Sequence, residues 1–338
     1  MGYVLGVTVS LGAHVGQQAY SMDEMRALWR WLDDNGFDWI SAWDHIYEAP
    51  NEGGVHDHFE AVATLAALAC ETSNARLGCL VFYVGYRNPG LLAKAAITID
   101  HLSGGRFELG LGAGWHKWEA EAYGYDFPRD GVRLDMLEEA AELIVGLING
   151  GSAEGDRQDG DEGVDGPARF SFQGKHYRVS DASCLPPPVY SSMPIWIGGV
   201  GRNRTLPMVA RWADGWNAAY TSAENFADLN RHLDNLCGEI GRDPKELERS
   251  INLLFAMGAD DERAKAAEES VYQSWGAMAD RVMGGALLGT PERAVEQILS
   301  YIEAGADMVN IALRLPFDSE ALEAYQEVVM PAVRAEVG

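Results

Sequence analysis

Short apolar runs alternate with helix-period segments along the chain, and few architectures accept that rhythm. The runs are Tyr3–Val9, Phe37–Trp43, Arg76–Phe82, Phe107–Gly112, Ile195–Gly198, Trp216–Ala219, Ile251–Met257 and Met308–Leu313. They are nearly continuous rather than alternating, as parallel strands covered by helices must be. Ser21 opens the first helix with Glu24 three residues on, a capping box. That helix carries Met25, Leu28, Trp29 and Leu32 on one stripe and stops at Asn35-Gly36. Further helical patterns cover His58–Thr72, Asn88-Pro89 to Leu102, Arg133–Ile148, Thr205–Ala213, Glu224–Ile240, Glu262–Met278, Pro291–Ala304 and Ser319–Val333. An open doubly wound sheet and a closed barrel both fit. A count of eight strands favours a (β/α)8 barrel, with all 338 residues in one domain.

One stretch breaks the rhythm. Residues 150–167 hold six acidic side chains against Arg157 alone. Asp159-Gly160-Asp161 invites a calcium-loop reading, but the glycine and glutamate such a loop needs further on are missing. A mobile, dispensable, solvated insertion is expected instead. After it, Arg169–Phe172 and His176–Val179 flank Gln173-Gly174 and predict a small hairpin.

The net charge of −25 argues against nucleic acid as a partner, because phosphate binding needs clustered cations. No segment is apolar for long enough to cross a membrane, and no charged leader precedes the first strand. Cys70, Cys79, Cys184 and Cys237 are widely spaced without a C-x-x-C pair, so free, mostly buried thiols and a cytoplasmic setting are expected.

In a barrel of this kind the active site lies at the C-terminal ends of the strands. The second run ends in Trp43-Asp44-His45, and imidazole exchanges protons near neutral pH. The same pair reads equally well as a loop-binding carboxylate beside an exposed histidine. The fourth run ends in Gly110-Leu111-Gly112-Ala113-Gly114-Trp115, where missing side chains let backbone approach a ligand. Its spacing is not that of a dinucleotide fingerprint. The fifth ends in Gly198-Gly199-Val200-Gly201-Arg202-Asn203-Arg204 and runs into a helix, which favours an anion site over a plain glycine turn. Trp43, Trp115 and Trp196, at or near strand ends, offer walls for a planar cofactor, although core packing explains each equally well.

These motifs, in this order, resemble the luciferase-like monooxygenase superfamily, and within it the F420-dependent oxidoreductase group. The resemblance rests on Asn35 to His45, Arg76 to Val81, Tyr86 to Lys94, Ile99 to Arg106, Gly112 to Trp115, Ala122 to Gly124, Pro194 to Gly199, Ala213 to Asn217, Gly289 to Glu292 and Ala304 to Asp307. It implies a flavin or deazaflavin ring over the strand ends, with His45 as proton carrier and Asp44 as its neighbour. It implies a non-proline cis peptide near Leu80–Val81 against the ring, with Gly112 and Ala113 beside it. Gly198, Gly199, Gly201 and Arg202 fall on the phosphate loop, and a homodimer is expected.

The chain also departs from the pattern. Ala49 stands where some F420 enzymes carry tryptophan, and Trp115 stands where sugar-phosphate dehydrogenases of the family carry glutamate. The second departure counts against glucose 6-phosphate and leaves Glu119 or His116 as substitute acids. The leading expectation is hydride transfer between F420 and a small organic substrate. The alternatives are a reduced-FMN monooxygenase that uses O2 and a non-catalytic flavin-binding barrel.

Overall fold

The computed structural model describes residues 9–49, 53–149 and 169–338. Eight parallel strands form the barrel: β1 (Ser10–Val15), β2 (Trp39–Ala42), β3 (Arg76–Cys79), β4 (Phe107–Gly112), β5 (Ile195–Gly198), β6 (Gly215–Ala219), β7 (Glu248–Met257) and β8 (Met308–Leu313). Each pairs with the next, and β8 returns to β1 to close the ring. The expected (β/α)8 barrel is therefore the fold.

Local sequence explains the elements around it. The helix Met22–Asp34 begins at the Ser21–Glu24 capping box, buries Met25, Trp29 and Leu32, and ends before Gly36, whose φ of 77° suits glycine. The helix Pro89–Ser103 starts under the Asn88 side chain, which accepts from the amides of Gly90 and Leu91. Residues Phe170–Gln173 and Arg178–Ala182 pair antiparallel, the hairpin the sequence predicts.

The first strand is a correction. Most of Tyr3–Val9 lies outside the described residues, and β1 is the next segment, Ser10–Val15. A strand ending at Val9 would leave a long loop before Ser21. Ending at Val15 leaves a connection of ordinary βα length. Further segments escaped the sequence reading, among them the short helices Lys117–Ala122 and Ala279–Met283, and a strand, Ala286–Gly289, paired with the C-terminal half of β7. The acidic stretch 150–167 lies outside the described residues. Cys79, Cys184 and Cys237 are buried free thiols, whereas Cys70 is exposed. No helix among the described residues is long and apolar enough to cross a membrane.

The two ends of the barrel differ. At the N-terminal end Arg76 bridges Glu108 and Glu248 and lies over the Trp39 ring, closing the interior. Trp196 belongs to this closed end. It packs against Trp39 and donates to Glu108, so of the two readings open for it, core packing holds and it walls no cavity at the other end. Above this layer, Asn217 donates to Ser250 and Asn252, and Asn310 donates to Asn252. The opposite end opens into a cavity.

Candidate active site

A cavity of about 420 Å3 lies over the C-terminal ends of the strands. Its floor includes Asn217 and Asn252 from the polar layer, with His14 from the end of β1. Trp43, Trp115 and Tyr83 contribute aromatic walls.

Val81 forms a bulge on one wall. The Leu80–Val81 peptide is cis, as the resemblance implies, and the chain then resumes pairing with β4 through Phe82 and Tyr83. Glycines make room for the Val81 side chain. A Cβ on Gly112 would sit 2.3 Å from Val81 Cγ2, and one on Gly198 would sit 2.8 Å from Cγ1. Any larger residue at either position would push Val81 aside.

His45 is held by Glu119, 74 residues later in the chain, on the helix Lys117–Ala122. Its Nδ1 lies 2.8 Å from Glu119 Oε1, while Oε2 accepts from the amides of Ile46 and Tyr47 at 2.8 and 3.1 Å. Burial pushes the Glu119 carboxyl up. The hydrogen bond and charge of His45, with those two amides, outweigh it and hold the group below the usual glutamate range. An ionised carboxylate only accepts, so Nδ1 carries the proton facing Glu119 and Nε2 is left for exchange. The edges of Trp115 and His116 approach the imidazole, with centroids 5.2 and 5.6 Å away.

Asp44 has a different task. Its Oδ2 accepts from the Tyr83 amide at 3.0 Å and from Arg87 at 2.7 Å, which ties the end of β2 to the segment after the cis bond. Burial still raises its carboxyl to about 6, against the pull of Arg87. Asp44 makes none of its hydrogen bonds with His45 and supports the wall of the site instead.

The expected residues therefore gather unevenly. His45, Asp44, Glu119, Leu80, Val81, Gly112, Ala113, Gly198 and Gly199 all line the cavity. Gly201 and Arg202 do not, and the Arg202 guanidinium is engaged by Asp228. Arg204 is similarly held by Asp135 and Glu138. The Gly199 amide donates to Asn217 and so is not free for an anion. The sequence reading missed His14, Arg281 and Arg314. His14 was hidden by the misplaced first strand; nothing local marks the two arginines as facing inward.

Barrel, cis-peptide bulge and carboxylate-held histidine together define a parallel (β/α)8 barrel with a cavity at the strand ends. The chain belongs to the luciferase-like monooxygenase family, whose profile matches residues 1–308, and is an oxidoreductase of that family. It is 26% identical to the F420-dependent glucose-6-phosphate dehydrogenase of Nocardia farcinica, over 97% of this chain and 98% of that protein. It is 24% identical to the FMNH2-dependent dimethylsulfone monooxygenase of Pseudomonas fluorescens, over 93% of this chain and 88% of that one. An F420-dependent secondary alcohol dehydrogenase, solved with an F420–acetone adduct, superposes with a TM-score of 0.80 at 18% identity. That match covers 96% of this chain and 99% of that one.

Proposed function

We propose that this chain transfers a hydride between the deazaflavin coenzyme F420 and a small organic substrate, with His45 exchanging the accompanying proton. The carrying observation is the His45–Glu119 pair at the cavity wall, which leaves Nε2 as the exchangeable nitrogen. A barrel that had lost its reaction would have no use for an imidazole fixed in this way.

The residues fit a planar ring system. Val81 would bear on one face of the ring, with Gly112, Ala113 and Gly198 around it. His14, Asn217 and Asn252 offer polar atoms for the heteroatom edge. The anionic tail would run toward Gly199, Val200 and Thr205, where the helix Thr205–Trp212 begins. With Arg202 and Arg204 tied to carboxylates, backbone amides carry most of that site. When bound, the coenzyme supplies a ring carbon that accepts or gives hydride. The protein's share is to hold the ring, exclude water with Trp43 and Tyr83, and move one proton through His45 Nε2.

A reduced-FMN monooxygenase is the second reading, favoured by the match to the dimethylsulfone enzyme over nearly the same length. Oxygen balance separates the two. Under the F420 reading, substrate changes the deazaflavin absorbance at the same rate with and without air. O2 uptake matched to substrate consumption with reduced FMN would replace that reading with the monooxygenase.

A further inference from the structure

Among the described residues two carboxylates line the cavity, and each is already engaged: Asp44 by Arg87, and Glu119 by the His45 ring and two backbone amides. The wall formed by the end of β8 and residues 275–282 carries two guanidiniums, Arg314 and Arg281. Among the described residues, neither has a carboxylate within ion-pair distance.

Arg314 is fixed by neutral groups alone. It lies over the rings of Trp43 and Trp275, 4.4 and 4.9 Å from their centroids, and donates to the Ala49 carbonyl and the Tyr220 hydroxyl. These contacts orient the guanidinium without cancelling its charge. That charge, after burial, helps push the nearby His14 down to about 3. Arg281 sits on the helix Ala279–Met283, whose Ala279 and Val282 are buried beside Trp275, Leu254 and Ala256. Its backbone is anchored while its side chain is exposed at the cavity.

In a chain of net charge −25, two uncompensated cations at one cavity wall call for an anion supplied from outside. We propose that the substrate carries a carboxylate, received by Arg281 and Arg314, with its hydrocarbon part against Trp275, Met278 and Val282. The guanidinium fork matches a carboxylate, and the apolar neighbours match an organic acid rather than a free inorganic ion. The assignment rests on reading the cavity as the oxidoreductase site. The cofactor phosphate is the other source of an oxyanion, and the test separates the two.

Benzoate and benzamide share a shape and differ in charge. Titrating each into the full-length protein by calorimetry should show benzoate binding at least about tenfold more tightly. Arg281→Ala should erase that preference, and Arg281→Lys should keep part of it. Neither change should alter the ratio of FMN to riboflavin affinity. Equal binding of benzoate and benzamide, or a preference that survives Arg281→Ala, overturns the proposal. A selective loss of FMN against riboflavin in Arg281→Ala also overturns it, because the oxyanion would then be the cofactor's. If benzoate shows an Arg281-dependent preference while neither F420 nor FMN binds, the oxyanion site stands and the coenzyme reading falls.

Discussion

Replacing Gly112 by alanine tests how the wall of the site is built. The new methyl carbon would lie 2.3 Å from Val81 Cγ2, well inside the roughly 3.5–4.0 Å at which carbons rest together. Val81 is β-branched and its other methyl group faces Gly198, so it has little freedom to turn away. Overpacking of this kind costs about 1–3 kcal/mol. Val81→Ala removes both γ carbons and leaves Val81 Cβ, 3.5 Å from the added methyl, as the nearest contact. In that background Gly112→Ala should cost under about 0.5 kcal/mol, a coupling of roughly 0.5–3 kcal/mol between the two sites. Urea denaturation of the four proteins of the cycle measures it. Equal costs of Gly112→Ala in both backgrounds would refute the claim that glycine is present to seat Val81.

Other expectations follow from the same geometry. His45→Gln should lower turnover by roughly 10²–10⁴-fold with cofactor affinity little changed; unchanged turnover would remove His45 from the chemistry. Glu119→Gln leaves an amide where a carboxylate receives His45 and two backbone amides, and should destabilise the fold by about 1.5–3 kcal/mol in urea denaturation. A change under about 0.5 kcal/mol would show that the contacts are slack. Burial holds His14 to about 3 and His58 to about 4, so both resist protonation in the folded protein. Their stabilisation is whole above 6.5 and drains as pH falls, on the order of 4 kcal/mol together by pH 5. Asp44, raised to about 6, works the other way and returns about 1 kcal/mol over the same interval. His58→Gln should therefore make the loss of stability between pH 7 and 5 shallower, and a flat wild-type profile would contradict the burial of both imidazoles.

Elements with strong local signals were legible in the sequence. The capping box fixed the start of Met22–Asp34, and the bounds of β4, β5 and β8 coincide with apolar runs. The first strand was not, because apolar residues recur from Tyr3 to Val15, broken only by single polar positions at Thr8, Ser10 and His14, and no window among them stands out; loop length was the signal that selects Ser10–Val15. Asp44 and His45 could be found as strand-end residues, but not told apart. Their roles depend on Arg87 and Glu119, partners that only the closed barrel brings near. Arg202 looked like a phosphate ligand on sequence, whereas Asp228 from a neighbouring helix claims it. Arg314 follows the last strand as an ordinary polar residue, and its aromatic frame comes from three distant segments.

On the proposed reading the cavity at the strand ends holds a flavin-like ring against Leu80–Val81, with the deazaflavin as the working coenzyme. Equilibrium titration of the purified protein with F420 and with FMN, followed through the absorbance of each chromophore, tests it most directly. Saturable binding of F420, a perturbed chromophore spectrum and weaker binding of FMN are expected. Saturable binding of FMN with none of F420 would contradict the coenzyme assignment, and binding of neither would contradict the site itself.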